Sequence, residues 1–417
     1  MITALEQRVL DAIRMDDLLQ TLADLVAIRS LGGAETPAQE YVARWLQENG
    51  IVADVWELDL AQLRQHPAFG VEVERERALG VVGMLGEGSG RTLILNGHVD
   101  VVPAGDEANW RYPPWQATVA DGRVYGRGTA DMKGGVACML HAAKAIRDAG
   151  VRLSGRLLIE TVVGEEDGGI GTLAAVLRGY RGDGAIVVEP TALCIAPAQG
   201  GALNFQVTVI GQSAHGCVRE EGVSAIEKFI PIHQALLALE AVRNRRVHNP
   251  LYARYRLPHA LSIGQLEAGD WASSVPERCT FRGRYGVAPG EDVAAARQEF
   301  VAAVAQAAES DPWLRAHPPL VEWWGGQLEP ASIPTDHPLV EMVTGALAAT
   351  GTAPRLEGMT YGADMWLLAK EGQTPALLFG PGDVRRAHAP DEFVPLAHLE
   401  ATVRALALAA LRFCGAG

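Results

Sequence analysis

Short apolar runs alternate with amphipathic helical stretches over the first 196 residues. The runs at 91–97, 155–164 and 184–189 are almost wholly apolar, whereas the stretch at 132–150 has its apolar residues at helical spacing. Strands that are apolar on both faces are typical of parallel sheets covered by helices on both sides. The pattern therefore predicts an α/β domain with a largely parallel sheet. It also predicts one amphipathic helix over 4–29, and a second helix with Thr36 as its N-cap.

The pattern changes near residue 197. The stretch "LNFQVTVIG" alternates as a half-exposed antiparallel strand does, and further strand and helix patterns follow it. A Pro- and Gly-rich stretch at 325–338 precedes the return of the α/β pattern, which includes an apolar run at 374–380. The chain is long enough for two domains. We therefore expect one domain over 1–196 and 331–417, with a smaller α+β domain inserted over 197–330.

Composition and charge argue against several kinds of partner and site. The net charge of −14 argues against nucleic acid as a partner. Apolar runs stay far below the ~20 residues that cross a bilayer, and the charged N-terminus has a helical rather than a signal-peptide pattern. The five cysteines are scattered and lack C-x-x-C spacing, which predicts a cytoplasmic location and no thiolate zinc site.

Acidic and imidazole side chains follow the predicted strands. Carboxyl ends of parallel strands meet at one edge of a sheet, so these side chains are expected to lie together. Each alone has an ordinary explanation, as a loop histidine, a strand terminus or a helix N-terminus. Together, buried carboxylates with no basic residue among them need another cation to balance their charge. Oxygen and imidazole donors suit zinc, manganese or cobalt. The residues are His98, Asp100, Glu165, Glu166, Asp167, Glu189 and His388.

Six segments in order resemble the successive motifs of the M20 metallopeptidases. They are "LNGHVDVVP", "GRGTADMKGG", "VVGEEDGG", "VVEPT", "GQSAHG" and "AHAPDEFV". This family includes acetylornithine deacetylase, succinyl-diaminopimelate desuccinylase, aminoacylase and carboxypeptidase G. The resemblance implies a three-layer αβα zinc-peptidase-like catalytic domain with an inserted ferredoxin-like α+β dimerisation, or lid, domain. It also implies a homodimer formed through that inserted domain.

The resemblance further implies two divalent metal ions, with zinc expected first and cobalt or manganese as alternatives. Such a pair would activate a bridging water near neutral pH. In the family, the peptide bond after the bridging aspartate is cis. The implied ligands are His98 and Glu189 for one metal, Glu166 and His388 for the other, and Asp131 as the bridge.

Catalytic roles also follow from the resemblance. Glu165 would be the general base that takes a proton from water and delivers it to the leaving amine. Asp100 would orient the imidazole of His98. His215 would stabilise the oxyanion, often in the partner subunit's active site. Asp167 is expected to face the loop and to cap the following helix.

The inserted domain departs from the family pattern. Relatives carry N-x-x-P followed by D-x-R, where this chain reads "WASSVPERCTFRGRYG". Ser273 stands for the asparagine, Arg284 for the aspartate and Gly286 for the arginine. Because a shift of two residues along a strand keeps the same face, Arg284 is a candidate anion contact, with Ser273 beside it as a further substrate-binding candidate.

The predicted function is hydrolysis of an amide bond that releases a small acyl group, namely acetyl, formyl or succinyl, from an amino acid or related amine. Trp271 and Tyr285 lie near the positions where this chain differs from the family pattern. They suit a flat amine that is not a standard α-amino acid, although ordinary packing explains them equally well. A metallo-dipeptidase or carboxypeptidase of the same family is the alternative. A non-catalytic scaffold is a remote alternative, because every ligand and base position is filled.

Overall fold

The protein is described by a computed structural model that covers residues 2–416. The chain divides into two compact units. The first comprises the described residues up to Gln199, Ala331–Met359, and the described residues from Ala363 onward. The second comprises Gly200–Pro330 with Thr360–Gly362. The predicted boundaries at 196/197 and 330/331 lie near these divisions, whereas the short return at 360–362 was not predicted.

The helices of the described residues include long ones in both units. In chain order they are α1 Ala4–Asp11, α2 Met15–Ala27, α3 Thr36–Glu48, α4 Leu60–Leu63, α5 Lys133–Asp148, α6 Ile170–Arg178, α7 Ala225–Arg246, α8 Val293–Glu309, α9 Pro312–Ala316, α10 Pro338–Ala349 and α11 Leu396–Cys414.

The strands are short in the first unit and longer in the second. They are β1 Val52–Glu57, β2 Leu79–Leu85, β3 Thr92–His98, β4 Thr118–Ala120, β5 Arg123–Tyr125, β6 Arg156–Val162, β7 Gly184–Val187, β8 Ala198–Gln199, β9 Gly201–Ile210, β10 Leu261–Ala268, β11 Arg278–Val287, β12 Leu320–Leu328, β13 Ala331–Ser332, β14 Ala376–Leu378 and β15 Phe393–Pro395.

The first unit is a three-layer αβα structure around a six-stranded sheet. Its strand order is β1-β2-β6-β3-β7-β14, in which the last four strands are parallel and the first two run antiparallel to their neighbours. Every residue of β3 is buried, as expected for a strand covered on both faces. Helices α5 and α11 pack against β3 and each other, while α3 and α6 pack against β2 and β6.

Two local predictions at the N-terminus are wrong. Residues 4–29 form two helices, because the chain is extended at Arg14 (φ −113°, ψ 105°) and turns between α1 and α2. Helix α1 then packs against α11, and α2 against α5. Thr36 is the first residue of α3 rather than its N-cap. The preceding residue, Glu35, makes no capping bond, because its side chain pairs with a buried arginine instead.

The second unit is an α+β structure. Its antiparallel sheet has the order β10-β11-β9-β12, and α7 and α8 pack together over it. Alternate residues at the start of β9 are buried, as the sequence pattern predicts. The aromatic core that joins sheet to helices contains Phe205, Phe281, Phe300 and Tyr285.

Neither unit has a helix with the length and apolarity needed for a membrane span, within residues 2–416.

Candidate metal centre

The predicted chemical residues meet at the carboxyl ends of parallel strands. Strands β6, β3, β7 and β14 are neighbours in that order, and the segments that follow them lie at one edge of the sheet. Asp131 joins them from the residues just before α5. The sequence argument from strand ends is therefore confirmed as geometry. The residues brought together are His98, Asp131, Glu165, Glu166, Glu189 and His388.

Asp131 lies between the two histidines. Its Oδ1 is 3.2 Å from Nε2 of His98, and its Oδ2 is 3.5 Å from Nε2 of His388. The peptide bond from Asp131 to Met132 is cis, as expected. A carboxylate that presents each oxygen to a different imidazole has the arrangement that a bridging ligand of a two-metal site needs.

The other carboxylates surround these histidines. Glu166 Oε1 is 3.1 Å from Nε2 of His388. Glu165 Oε2 and Glu189 Oε1 are 3.8 and 4.0 Å from Nε2 of His98. Because these two distances are nearly equal, geometry alone does not separate a base from a ligand. The assignment of Glu165 as base and Glu189 as ligand stays a prediction.

Burial and mutual charge perturb the ionisation of the cluster. Burial raises the pKa of Glu165 and of Glu189 well above the usual range, and neighbouring carboxylates raise it further. Burial opposes the charged form of His98, but Asp100 and Asp131 outweigh it and raise the pKa of that imidazole. The carboxylates of this cluster therefore oppose one another's ionisation, and a bound cation would relieve that repulsion.

The donor set fits divalent cations. Two donor groups, His98–Glu165–Glu189 and His98–Asp131–Glu166, each have their ligand atoms within 4.8 Å of one another. Ligands bound at about 2.0–2.2 Å around a tetrahedral ion lie roughly 3.3–3.6 Å apart, which is close to the spacing observed here. Within the described residues, neither group includes a cysteine, so the donors are oxygen and imidazole nitrogen, as predicted.

Asp100 contacts both sides of the cluster. Its main-chain carbonyl is 2.9 Å from Nδ1 of His98, whereas its carboxylate Oδ1 is 3.7 Å from the same nitrogen. Oδ2 of the carboxylate accepts the N–H of Glu166 at 3.0 Å. Asp100 therefore holds the imidazole through its backbone and the Glu166 segment through its side chain.

Glu392 holds Asp131 in place, and sequence analysis assigned it no role. This buried carboxylate accepts the N–H groups of Ala130 and Asp131 at 2.9 and 3.0 Å. Its second oxygen accepts a bond from Arg127 at 2.5 Å. Glu392 is only four residues beyond His388, but no local pattern separates a buried acid from an exposed one in a loop.

Asp167 does not cap the helix that follows it. The N-cap residue of α6 is Gly169, in a left-handed conformation without a side-chain cap bond. The carboxylate of Asp167 instead accepts hydrogen bonds from Arg75 at 2.8 and 2.9 Å. Arg75 lies 92 residues from Asp167 along the chain, so the local sequence around Glu165, Glu166 and Asp167 does not reveal this cation.

The remaining candidates lie at different ends of the second unit. His215 is exposed, and the next residue, Gly216, donates its N–H to the carbonyl of Ser273 at 2.7 Å. Arg284 lies within β11, where it pairs with Asn204 and donates to the carbonyl of Thr360 at 2.8 Å. Burial lowers the pKa of Arg284. The structure therefore groups His215 with Ser273 and separates both from Arg284.

Known proteins resemble this chain along most of its length. Over 381 residues it is 30% identical to N-formyl-4-amino-5-aminomethyl-2-methylpyrimidine deformylase of Halalkalibacterium halodurans, covering 87% of this chain and 85% of that protein. Over 376 residues it is 28% identical to acetylornithine deacetylase of Proteus mirabilis, covering 85% and 89%.

Solved structures share the fold. Human carnosine dipeptidase 1 has a TM-score of 0.74 at 18% identity, covering 98% of this chain and 99% of that one. The Bacillus subtilis YXEP protein, described as a dinuclear metal binding peptidase from M20 family, has a TM-score of 0.61 at 16% identity, covering 96% and 98%. At such identities the likeness concerns the fold alone.

The model of peptidase family M20/M25/M40 matches residues 94–412, which is more than half of the chain. The expected fold class and the expectation of an enzyme rather than a scaffold are thereby confirmed. The chain belongs to peptidase family M20/M25/M40 and is a metal-dependent amidohydrolase.

Proposed function

We propose that the protein is a dinuclear metal-dependent deacylase that removes a small acyl group, formyl or acetyl in size, from an amine. The observation that carries the hydrolytic part is the placement of Asp131 between His98 and His388. Two divalent cations, with zinc proposed first, would supply charge for the carboxylates, a more acidic water and polarisation of the amide carbonyl. Their proposed ligands are His98, Glu189, Glu166, His388 and Asp131.

Glu165 is the proposed proton carrier. Its side chain is buried and lies within 4 Å of His98, so it faces the space between the proposed ligands. A carboxylate there takes the proton of the attacking water and then delivers it to the amine nitrogen as the C–N bond breaks. The products are the free amine and the carboxylate of the acyl group.

The relatives support a small acyl group. The names of two of them describe removal of a formyl group from an aminopyrimidine and of an acetyl group from ornithine. Trp271, 73% exposed, lies next to the Ser273 segment and is available to stack on a flat amine. Tyr285, in contrast, is 1% exposed and packs against Phe300 and Trp323, so of its two explanations the structure favours ordinary packing.

A substrate screen tests this function. We expect zinc- or cobalt-loaded protein to hydrolyse N-formyl or N-acetyl amines with a higher kcat/KM than N-succinyl amines or dipeptides. Removal of metal by a chelator should abolish the activity, and re-addition should restore it. The Glu165→Gln protein, purified in parallel, controls for contaminating hydrolases. A higher kcat/KM for dipeptides than for every acyl-amine would replace the deacylase with the peptidase alternative.

We also propose that the protein forms a homodimer through its second unit. In β11, Arg278 pairs with Ile210 and Arg284 with Asn204 of β9. The two arginines are therefore six positions, or roughly 20 Å, apart along the strand. His215 follows the Ile210 end, so a small substrate cannot touch His215 and Arg284 of one chain. We infer that His215 serves the oxyanion of a second copy, whereas Arg284 stays a candidate anion contact for the substrate.

Mixing two inactive variants tests that inference. His215→Ala should lower kcat by about 10²–10³-fold without loss of metal, as removal of an oxyanion donor does. Mixing it with Glu165→Gln, and allowing subunit exchange, should restore part of the activity, because half of the sites in a mixed dimer would be intact. An absence of recovery, with exchange verified by differently tagged chains, would rule out action between subunits.

A further inference from the structure

Arg75 is a buried residue in an exposed stretch. All residues from Glu72 to Arg77 are exposed except Arg75, which is 6% exposed. A guanidinium is almost never buried unless its charge and its N–H groups find partners. The partners of Arg75 therefore indicate why the side chain of this one residue in an exposed segment is buried.

The guanidinium uses all five of its N–H groups. Nη1 and Nη2 donate to the two oxygens of Asp167 at 2.9 and 2.8 Å, as a two-pronged fork. Nε and Nη2 donate to one oxygen of Glu35 at 2.9 and 2.5 Å, and Nη1 also donates to the carbonyl of Val73 at 2.9 Å. Bidentate pairing of this kind fixes geometry as well as charge, and lysine cannot reproduce it.

Asp167 is held from the same segment by main-chain groups. Its Oδ2 also accepts the N–H groups of Glu72 and Val73 at 3.2 and 2.9 Å. The two backbones approach closely nearby, since a Cβ added to Gly168 would lie 2.1 Å from the carbonyl oxygen of Gly70. A Cβ added to Gly164 would lie 2.9 Å from Nη2 of Arg75. The loop 164–168 therefore rests directly on segment 70–75.

This loop carries the two acids of the candidate active site. Glu165 and Glu166 lie between Gly164, which contacts Arg75, and Asp167, which Arg75 binds. On the other side, Asp100 accepts the N–H of Glu166 at 3.0 Å. The loop is thus clamped from two directions, and the side chains of Glu165 and Glu166 project from the clamped backbone.

We propose that Arg75 is a positioning residue for catalysis, which sets the orientation of Glu165 by clamping Asp167 and the loop backbone. It acts through Asp167 and does not touch the reacting atoms. The inference rests on the proposed function, in which Glu165 carries the proton. Misplacement of a catalytic group by about 1 Å can cost on the order of 100-fold in rate.

The test compares Arg75→Ala with a nearby control. We expect Arg75→Ala to lower kcat by about 10–100-fold, with KM and metal content little changed, because Asp100 still accepts the N–H of the proposed ligand Glu166. Millimolar guanidinium ion, far below denaturing concentration, should restore part of the lost kcat by filling the vacated site. The control is Arg77→Ala, an exposed arginine whose partners Glu40 and Glu57 lie at 3.4 and 3.6 Å. It should keep the parent kcat and show no response to guanidinium.

Arg75→Lys provides a second route if the alanine variant is poorly folded. Lysine retains the charge but cannot form the bidentate pair with Asp167. We therefore expect a folded protein with a kcat between those of the parent and of Arg75→Ala. Unchanged kcat in either Arg75 variant would overturn the proposal. So would a loss of kcat that parallels metal loss, a loss that guanidinium does not rescue, or failure of both variants to fold, since each indicates a purely structural role.

Assays use whichever substrate the parent enzyme hydrolyses best, so failure of this inference is separable from failure of the proposed function. If Glu165→Gln is inactive while Arg75→Ala keeps full kcat, only the positioning role is wrong. If Glu165→Gln keeps full activity, the proposed proton carrier is wrong whatever the Arg75 variants do.

Discussion

Replacement of Glu165 by glutamine is expected to lower kcat by about 10²–10⁴-fold while the protein keeps its fold and its metal. The amide has nearly the shape of the carboxylate, but it cannot accept the proton of the attacking water. The measurement is kcat for the best acyl-amine substrate, together with metal content by elemental analysis on the same preparation.

Glu189→Gln is the matched control for this prediction. Glu165 and Glu189 lie 3.8 and 4.0 Å from the same nitrogen of His98, and both are buried. A ligand replaced by an amide binds its metal more weakly, so Glu189→Gln should lose metal as well as activity. If Glu165→Gln instead loses metal and Glu189→Gln retains it, the two roles are exchanged.

Asp131→Ala is expected to remove most bound metal and with it all measurable hydrolysis. This carboxylate presents one oxygen towards each histidine, at 3.2 and 3.5 Å, so its loss removes a proposed ligand from both ions and leaves the remaining acids to repel one another. Asp100→Ala should cost less, about 10–100-fold in affinity or activity, because it removes only the carboxylate that accepts the N–H of Glu166 and keeps the main-chain carbonyl that holds His98.

Metal titrations of the two variants check this order. Both proteins are stripped with a chelator, reloaded with zinc, and compared for occupancy at equal free metal. A chelated parent protein serves as the reference for folding, by circular dichroism, in the absence of metal. Equal occupancy in Asp131→Ala and Asp100→Ala would contradict the bridging assignment.

The edge that carries the chemistry was predictable from the sequence. His98, Glu165 and Glu189 each stand at the end of an apolar run, and short runs that alternate with helical stretches are typical of buried strands in a covered sheet. Parallel strands bring their carboxyl ends together whatever their order, so the clustering followed without knowledge of the strand order β6-β3-β7-β14. Strands β1 and β2 were not predicted at all, and β1, with the sequence VADVWE, is partly exposed and lacks the apolar run that marks the inner strands.

The supporting partners of the site were not predictable. Asp167 binds Arg75 across 92 residues, and Asp131 binds Glu392 across 261 residues. A charged residue in a loop has no periodicity that reveals whether it is buried. The expected cap at Asp167 failed for this reason, since a helix begins nearby but the carboxylate finds a stronger, charged partner from a distant segment.

The sequence by itself determined the α/β class, the strand ends that supply the donors and, through motif resemblance, the family. These features depend on local order, because periodicity, apolar runs and motif spacing are properties of neighbouring residues. Only the tertiary structure decided that Glu392 holds the backbone of Asp131, that His215 and Arg284 lie far apart in the second unit, and that Arg75 clamps the acidic loop. These features depend on packing and on charge pairing between segments far apart in the chain, where the partner of a buried charge is chosen by distance in space and not by position in the sequence.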